Sequence, residues 1–261
     1  MPDLTISACS PPSPLSMSGR RALITGGGSG IGRGVTLSFA AEGCDVVVIG
    51  RRLEVLEETV AAAVQLAGTV HAMVCDVTDQ AAVAATVDAA LAKLGGKIDV
   101  LVNNAGTNIA GRHLDDLTVA DWKRCIDVNL HGPFYFCHAA LPHMKAAGEG
   151  TVINMSSIAA IRPMPLSGTA YAASKAGLSA LSQMLNKECG AAGIRCTEIC
   201  PGETETEILD KRPTPPTPEQ RAKMAQPEDI GKIAVMIATL PARVFIPKIA
   251  VTGITTLDIS M

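Results

Sequence analysis

The chain has 261 residues, of which 48% are hydrophobic and only 3% aromatic, with a formal net charge of −3 at pH 7. This length allows one large aliphatic core, while the absence of a basic run argues against nucleic-acid binding, and no stretch reaches the ~20 apolar residues of a membrane span. Eight cysteines and five histidines show neither a disulfide framework nor a metal-ligand spacing, so we expect no metal site and a reducing, cytoplasmic location.

The N-terminal segment differs in composition from the rest of the chain. Residues 1–18 contain Pro11, Pro12 and Pro14 and several serines, but no basic start followed by an apolar run. Such a segment does not resemble a signal peptide, and we expect a flexible N-terminal tail over 1–18. Residues 19–261 are expected to form a single domain.

Short apolar runs then alternate with segments of helical spacing. Strands are predicted at 22–24, 45–49, 70–75, 98–102, 151–155, 194–200 and 244–251, and helices at 31–41, 53–66, 80–94, 119–147, 170–190 and 227–240. The long helix is expected to be interrupted near Gly132-Pro133. This alternation predicts an α/β fold, a single-domain Rossmann-like doubly wound parallel sheet with helices on both faces.

A glycine cluster joins the first predicted strand to the first predicted helix, in the sequence Thr25-Gly26-Gly27-Gly28-Ser29-Gly30-Ile31-Gly32. Glycines at such a turn let the backbone approach a pyrophosphate, and the helix start offers free N–H groups to it. A tight turn without a ligand is the alternative. The strand–turn–helix context favours a dinucleotide site, with the coenzyme bound by Gly26, Gly28, Ser29, Gly30, Ile31 and Gly32.

The end of the second strand bears on the choice of coenzyme. Sites selective for NAD usually place a carboxylate there for the ribose 2′-hydroxyl. This chain instead has Gly50 followed by Arg51 and Arg52, and guanidinium groups bind phosphate through a planar fork. The residues therefore favour NADP, with NAD still possible. Alternatively, both arginines are solvated residues of a helix start.

Polar residues also follow the next two strands. Asp76 and Val77 close the third strand, where the carboxylate and a backbone group are placed to meet the adenine. Asn104, Ala105 and Gly106 end the fourth strand, in the crevice where such sheets bind ligands. Helix capping by Asp76 and ordinary turn chemistry are the competing interpretations.

The most informative pair is Tyr171 and Lys175, four residues apart in Tyr-Ala-Ala-Ser-Lys. Side chains at i and i+4 share one helix face, so the phenol and the ammonium project together. A neighbouring ammonium is expected to lower the tyrosine pKa toward working pH, which makes the phenol usable for proton transfer. By itself such a pair also occurs by chance on solvated helices.

Taken together, these motifs resemble the short-chain dehydrogenase/reductase family over about residues 19–240. The matching residues are Thr25-Gly26-x-x-x-Gly30-x-Gly32, Asn103-Asn104-Ala105-Gly106, Ser156-Ser157, Tyr171-x-x-x-Lys175 and Pro201-Gly202. The resemblance implies an NAD(P)-dependent oxidoreductase that transfers a hydride between nicotinamide and a carbonyl or secondary alcohol. It also implies one dinucleotide-binding and catalytic domain over 19–261, and assembly into a homodimer or homotetramer.

The resemblance further implies a role for each matching residue. Tyr171 would be the acid or base, assisted by Lys175, which would also hold the nicotinamide ribose, while Ser157 would contact the substrate oxygen. Ser156 is the alternative for that contact. Asn129 would hold a water in a proton relay. Contacts to the nicotinamide are implied for Pro201, Gly202, Thr204 and Thr206.

Two features leave the substrate open. The loop after Pro201-Gly202 is unusually acidic at Glu203, Glu205 and Glu207, and its effect on the substrate pocket is not set by the pattern. Arg162 and His113 are candidates for a pocket that favours an anionic substrate, although surface exposure explains them as well. A cofactor-binding regulator without catalysis, and an epimerase or dehydratase, are the alternative functions. The pattern fits both less well, because the tyrosine, lysine, serine and asparagine are all present.

Overall fold

The computed structural model describes residues 15–212 and 214–253. Seven strands make one parallel sheet: β1 (Arg21–Thr25), β2 (Asp45–Gly50), β3 (Val70–Val74), β4 (Val100–Asn103), β5 (Gly150–Met155), β6 (Ile194–Pro201) and β7 (Lys248–Val251). The helices are α1 (Gly30–Ala41), α2 (Leu53–Ala62), α3 (Gln80–Lys93), α4 (Val119–Ile126), α5 (Gly132–Ala147), α6 (Thr169–Cys189), α7 (Pro218–Arg221) and α8 (Pro227–Thr239). The doubly wound α/β fold predicted from the sequence is confirmed.

The strand order is β3-β2-β1-β4-β5-β6-β7, so the direction of winding reverses between β1 and β4. A crevice opens at such a reversal, at the carboxyl ends of the strands. The glycine turn follows β1 and the Asn104 segment follows β4, so both lie at this crevice. Thr25 links them, because its hydroxyl accepts hydrogen bonds from the backbone N–H groups of Asn104 and Ala105, each at 3.0 Å.

The sheet is covered on both faces because alternate strand residues point to opposite sides. Ala22 and Ile24 pack with α1 and α8, whereas Leu23 packs with α3 and α5. The two apolar layers consist almost entirely of aliphatic side chains, with Phe39 in one and Phe136 in the other. The seven described cysteines are free and buried.

The long predicted helix has a different interruption from the one expected. A π-helical turn at Asp127–His131 separates α4 from α5, and Gly132-Pro133 begins the second helix. The α2 helix ends four residues earlier than predicted, and β7 starts four residues later. The Asp79 carboxylate caps α3, because it accepts the backbone N–H of Ala82 at 3.0 Å.

The predicted tail lies mostly outside the described residues. Met17, near its end, is fully buried against the core, and its N–H donates to the Glu42 carbonyl at 2.8 Å. Across the two described ranges, no helix combines the length and the apolar character that a membrane crossing would require.

Candidate active site

A cleft of about 1420 Å³ lies at the carboxyl edge of the sheet. Most of the residues predicted to bind coenzyme or substrate line it: Gly26, Gly28, Ser29, Gly30, Ile31, Arg51, Arg52, Asn104, Ala105, Gly106, Ser156, Ser157, Tyr171, Lys175, Pro201, Gly202, Thr204 and Thr206. Segments far apart in sequence thus meet around one cavity, large enough for a dinucleotide and a small molecule together.

The glycine turn has the shape that a pyrophosphate requires. Gly26 has φ +67°, a left-handed conformation that side chains rarely adopt. Gly32 does not line the cleft, but a Cβ there would lie 2.1 Å from the Gly26 carbonyl oxygen. Gly32 therefore lets the first turn of α1 approach the loop closely. Gly30 and Ile31 at the start of that helix line the cleft, where its free N–H groups are available to a phosphate. These residues fit a dinucleotide coenzyme.

Positive charge gathers where the adenosine end of a dinucleotide would lie. Arg51 and Arg52 are exposed at the end of β2, and Arg33 of α1 lines the same part of the cleft. The one carboxylate nearby among the described cleft residues is the exposed Glu58, 3.8 Å from Arg33. Sequence reasoning missed Arg33, whose position directly after the last glycine of the motif was the available signal.

Asp76 and Val77 do not line the cleft. The Asp76 carboxylate accepts the backbone N–H of Thr78 at 3.0 Å and its hydroxyl at 2.8 Å, so it closes the turn before α3. Val77 is buried, in contact with the start of α5 at Gly132. The side chains of both residues therefore have structural contacts here, and a contact with adenine stays a prediction.

Tyr171 and Lys175 project from the first two turns of α6 into the cleft, as the spacing predicts. Lys175 Nζ donates a 2.7 Å hydrogen bond to the Met155 carbonyl at the end of β5, and it lies 5.6 Å from the centre of the Tyr171 ring. The lysine therefore faces the ring and the end of the sheet. Its side chain is almost completely buried.

The expected lowering of the tyrosine pKa does not occur in this structure. Burial raises the pKa of Tyr171, and a hydrogen bond with Ser157 only partly offsets that rise. Burial also lowers the pKa of Lys175 to about 8. A neighbouring cation favours the phenolate, whereas desolvation favours the neutral form of both groups and dominates here.

The two candidate serines are now distinguished. Ser157 forms the hydrogen bond with the Tyr171 phenol, and its Oγ also accepts the Ala159 N–H at 3.1 Å. Ser156 points the other way, toward the backbone of α6, with its Oγ 3.5 Å from the Lys175 carbonyl oxygen. The arrangement therefore favours Ser157 for contact with a substrate oxygen bound beside Tyr171.

Asn129 lies in the π-helical turn, fully buried and outside the cleft lining. Its Oδ1 accepts the Thr107 N–H at 2.8 Å, and its Nδ2 donates to the Thr107 carbonyl at 2.9 Å and to Ser174 Oγ at 3.0 Å. The side chain thus ties the chain after β4 to α6, three residues after the tyrosine. A water held by Asn129 stays a prediction.

The acidic loop has a structural explanation that the sequence concealed. Glu203 Oε1 lies 2.8 Å from Arg212 Nη1, and Glu205 Oε1 lies 3.1 Å from Arg221 Nη1. The Nη2 atom of Arg221 also contacts the Asp210 carboxylate. These ion pairs tie the segment before α8 to the strand end. Glu207 lines the cleft near Gly30, Arg162 lines it too, and His113 does not.

A buried ion pair lies beside α6. Glu198 of β6, only 1% exposed, contacts Lys248 Nζ of β7 at 2.9 Å and Ser179 Oγ of α6 at 2.7 Å. Burial acts to raise the pKa of Glu198, but the hydrogen bonds from Lys248 and Ser179 outweigh it and hold that pKa below its ordinary value. This pair joins the last strand to α6.

Comparison with known proteins agrees with this geometry. Residues 20–216 match the family model for short chain dehydrogenases. A 3beta-hydroxysteroid dehydrogenase of Mediterraneibacter gnavus is 39% identical over 189 residues, covering 72% of this chain and 67% of that protein.

Two solved structures share the fold over nearly the whole chain. An alcohol dehydrogenase from the archaeon Thermococcus sibiricus, complexed with 5-hydroxy-NADP, has a TM-score of 0.81 at 25% identity and covers 90% of this chain and 97% of its own. A 7 alpha-hydroxysteroid dehydrogenase complexed with NADH and 7-oxo glycochenodeoxycholic acid has a TM-score of 0.81 at 31% identity. The match covers 92% of this chain and 95% of that protein. The chain therefore belongs to the short-chain dehydrogenase family and is an NAD(P)-dependent oxidoreductase.

Proposed function

We propose that the protein is an NADP-dependent alcohol dehydrogenase or carbonyl reductase with Tyr171 as its acid and base. The observation that carries this proposal is the meeting of Tyr171, Ser157 and Lys175 in one cleft beside the glycine turn. A bound nicotinamide would supply or accept the hydride. The chain's own residues align the substrate oxygen and exchange a proton with it.

Each side chain has a distinct task in this proposal. The Tyr171 phenol, kept protonated by burial, donates its proton to a carbonyl oxygen during reduction. The Ser157 hydroxyl lies at the phenol and stabilises the charge that develops on the same oxygen. Lys175 offers a positive charge beneath the ring, and Asn129 positions α6 through Ser174.

The leading alternative is a regulator that binds coenzyme without catalysis, and such proteins typically lack the tyrosine or the lysine. Tyr171, Ser157 and Lys175 are all present, and they converge on one cleft. The test measures turnover of a panel of ketones and secondary alcohols. Turnover is detected as a change in the absorbance of the reduced nicotinamide. The panel should include oxosteroids, because relatives are named hydroxysteroid dehydrogenases. Reduction of any panel ketone supports the enzyme, and coenzyme binding without any turnover supports the regulator.

Coenzyme preference gives a sharper prediction. Arg51→Ala removes a guanidinium from the group formed with Arg33 and Arg52, and charge-assisted hydrogen bonds to phosphate are strong. We expect the Kd for NADPH to rise about tenfold or more, and the Kd for NADH by less than about threefold. Fluorescence titration of the reduced coenzymes measures both constants.

The matched control for this change is Arg243→Ala, which removes an exposed arginine outside the cleft lining. It should alter neither constant. An equal loss of NADPH and NADH affinity in Arg51→Ala would show that Arg51 does not recognise the 2′-phosphate, and would favour NAD as the coenzyme.

The buried lysine predicts a dependence of stability on pH. Lys175 has a pKa of about 8 in the folded protein, below its value of 10.5 in the unfolded chain. Burying the charged lysine therefore lowers the free energy of unfolding by its full amount below pH 8. This destabilisation declines as the pH rises toward 10.5, because the lysine then loses its proton in the folded protein before it does so in the unfolded chain. Lys175→Met lacks that titration. Between pH 7 and 9.5 the free energy of unfolding of the wild-type protein should gain about 1 to 2 kcal/mol relative to the variant.

Urea unfolding of the two coenzyme-free proteins at both pH values measures this difference. Lys187→Met is the control, since Lys187 lies exposed on the same helix and should show no such trend. A difference between Lys175→Met and wild type that stays constant with pH would contradict a lowered lysine pKa.

We also propose a cytoplasmic homodimer or homotetramer. Trp122 of α4, Phe134 of α5 and Met184 of α6 are between 38% and 47% exposed, which leaves aromatic and apolar surface for association on these helices. Light scattering after size exclusion gives the mass in solution. A mass of about 27 kDa would exclude the oligomer.

A further inference from the structure

Two arginines, Arg112 and Arg212, line the part of the cleft that is formed by residues 158–168 and the loop after β6. We call them the arginine pair. This part of the cleft lies beside Tyr171, and the glycine turn and Arg51 form another part. The arginine pair has no role in the proton transfer proposed for Tyr171.

Arg112 is fixed in place and almost completely buried, at 3% exposure. Its Nη1 donates to the Leu166 carbonyl at 2.9 Å, and its own carbonyl accepts the Thr169 N–H at 3.1 Å. Gly168 packs so closely on it that a Cβ there would lie 2.5 Å from the Arg112 Cβ. Arg112 is therefore held against the segment that leads into α6, the helix that carries Tyr171.

Arg212 brings a second positive charge to the same place. Burial and the charge of Arg212 together lower the pKa of Arg112, so the two guanidinium groups are electrostatic neighbours. Arginine nevertheless stays charged in proteins. Arg212 pairs with Glu203 at 2.8 Å, and both side chains are partly buried. Both guanidinium groups line this part of the cleft, so a second carboxylate bound there would be stabilised by both.

The surface around the arginine pair is apolar. Ile161, Met164 and Leu166 line the cleft yet remain 41%, 40% and 45% exposed, and Ile158 completes the group. Large apolar side chains left exposed at the rim of a cleft mark a surface that a ligand covers. A ligand that fits this surface therefore carries an apolar skeleton.

From these observations we propose that the substrate is an amphipathic carboxylate. Its apolar skeleton would bear the reacting carbonyl or alcohol beside Tyr171 and would cover Ile161, Met164 and Leu166. Its carboxylate would bind the arginine pair, next to Glu203. This inference rests on the proposed function for the reacting group, but the recognition of the anion is tested separately.

The test measures binding of octanoate and octan-1-ol to the protein saturated with NADPH, by calorimetry. The two probes have equal chain lengths and differ in charge, and neither can be reduced at a carbonyl under the assay. We expect octanoate to bind at least tenfold more tightly. Arg212→Met should reduce the octanoate affinity at least tenfold, and Arg112→Lys should reduce it even though a buried positive charge is retained.

Two further variants separate recognition from a structural effect. Glu203→Gln removes the carboxylate that competes for Arg212 and should raise the octanoate affinity severalfold, which mere loosening of the loop would not do. Arg221→Met breaks the neighbouring ion pair with Glu205 outside the cleft lining, and should leave the preference for octanoate intact.

Equal affinity for octanoate and octan-1-ol would overturn the proposal. An equal loss of affinity for both probes in Arg212→Met would overturn it as well. These outcomes leave the proposed function standing if ketones are reduced. Conversely, an octanoate preference in a protein that reduces no panel ketone would support the anion site and remove the oxidoreductase proposal for Tyr171.

Discussion

Tyr171→Phe is expected to reduce kcat for ketone reduction by at least about 100-fold while leaving the Kd for NADPH within a factor of about two. The variant removes only the hydroxyl, which is the group that forms the hydrogen bond with Ser157 in the cleft. The ring that lies over Lys175 Nζ is retained, so the fold of α6 should not change. Steady-state assays of NADPH oxidation measure kcat, and a parallel fluorescence titration measures the Kd for NADPH.

Tyr135→Phe is the matched control, because Tyr135 is the other of the two tyrosines and lies on α5 outside the cleft. It should retain wild-type kcat. Reductase activity in Tyr171→Phe comparable with that of Tyr135→Phe would exclude Tyr171 as the proton donor. The family assignment would stand in that case, and Ser157 would become the next candidate.

Lys248→Met should lower the free energy of unfolding by about 3 kcal/mol at pH 7. Lys248 supplies the positive charge for Glu198, which is 1% exposed, and no other cation among the described residues lies within salt-bridge distance of it. Without Lys248, the carboxylate is either left charged in the core or forced to bind a proton. The pKa of Glu198 should then rise from its present low value.

The double variant Glu198→Gln with Lys248→Met tests whether the loss comes from the uncompensated charge. It should recover most of the stability, because a neutral amide can still bond to Ser179. Lys232→Met, at an exposed site on α8, serves as the control in urea unfolding. If Lys248→Met and Lys232→Met are equally stable, the ion pair contributes nothing to the fold.

Local patterns were sufficient for most of the architecture. The glycine turn between β1 and α1 requires glycine for steric reasons, so the residue types themselves specify the turn. The alternation of buried runs such as Val46–Ile49 with helical segments specified a doubly covered sheet. These features depend on neighbours in sequence, which is why they can be predicted from sequence.

Features that depend on distant contacts could not be predicted in the same way. Glu203 and Glu205 looked unusual because their partners, Arg212 and Arg221, follow nine and 16 residues later. Whether the pKa of Tyr171 is raised or lowered depends on how deeply the phenol is buried, which the spacing of Tyr171 and Lys175 in the sequence does not reveal. The π-helical turn likewise arises from a change of backbone hydrogen-bond partners that leaves no mark in residue composition.

The π-helical turn also constrains where the sequence can tolerate insertions and deletions. A π-helical turn accommodates one more residue than an α-helical turn, so α4 and α5 are rotated relative to each other by about 100°. Asn129 can therefore face Thr107 and Ser174 while Phe136 faces the sheet. Deleting one residue from Asp127–His131 would restore a regular helix and swing one of these two faces away from its partners. Natural variation in length should accordingly spare this helix and fall in the loops around it.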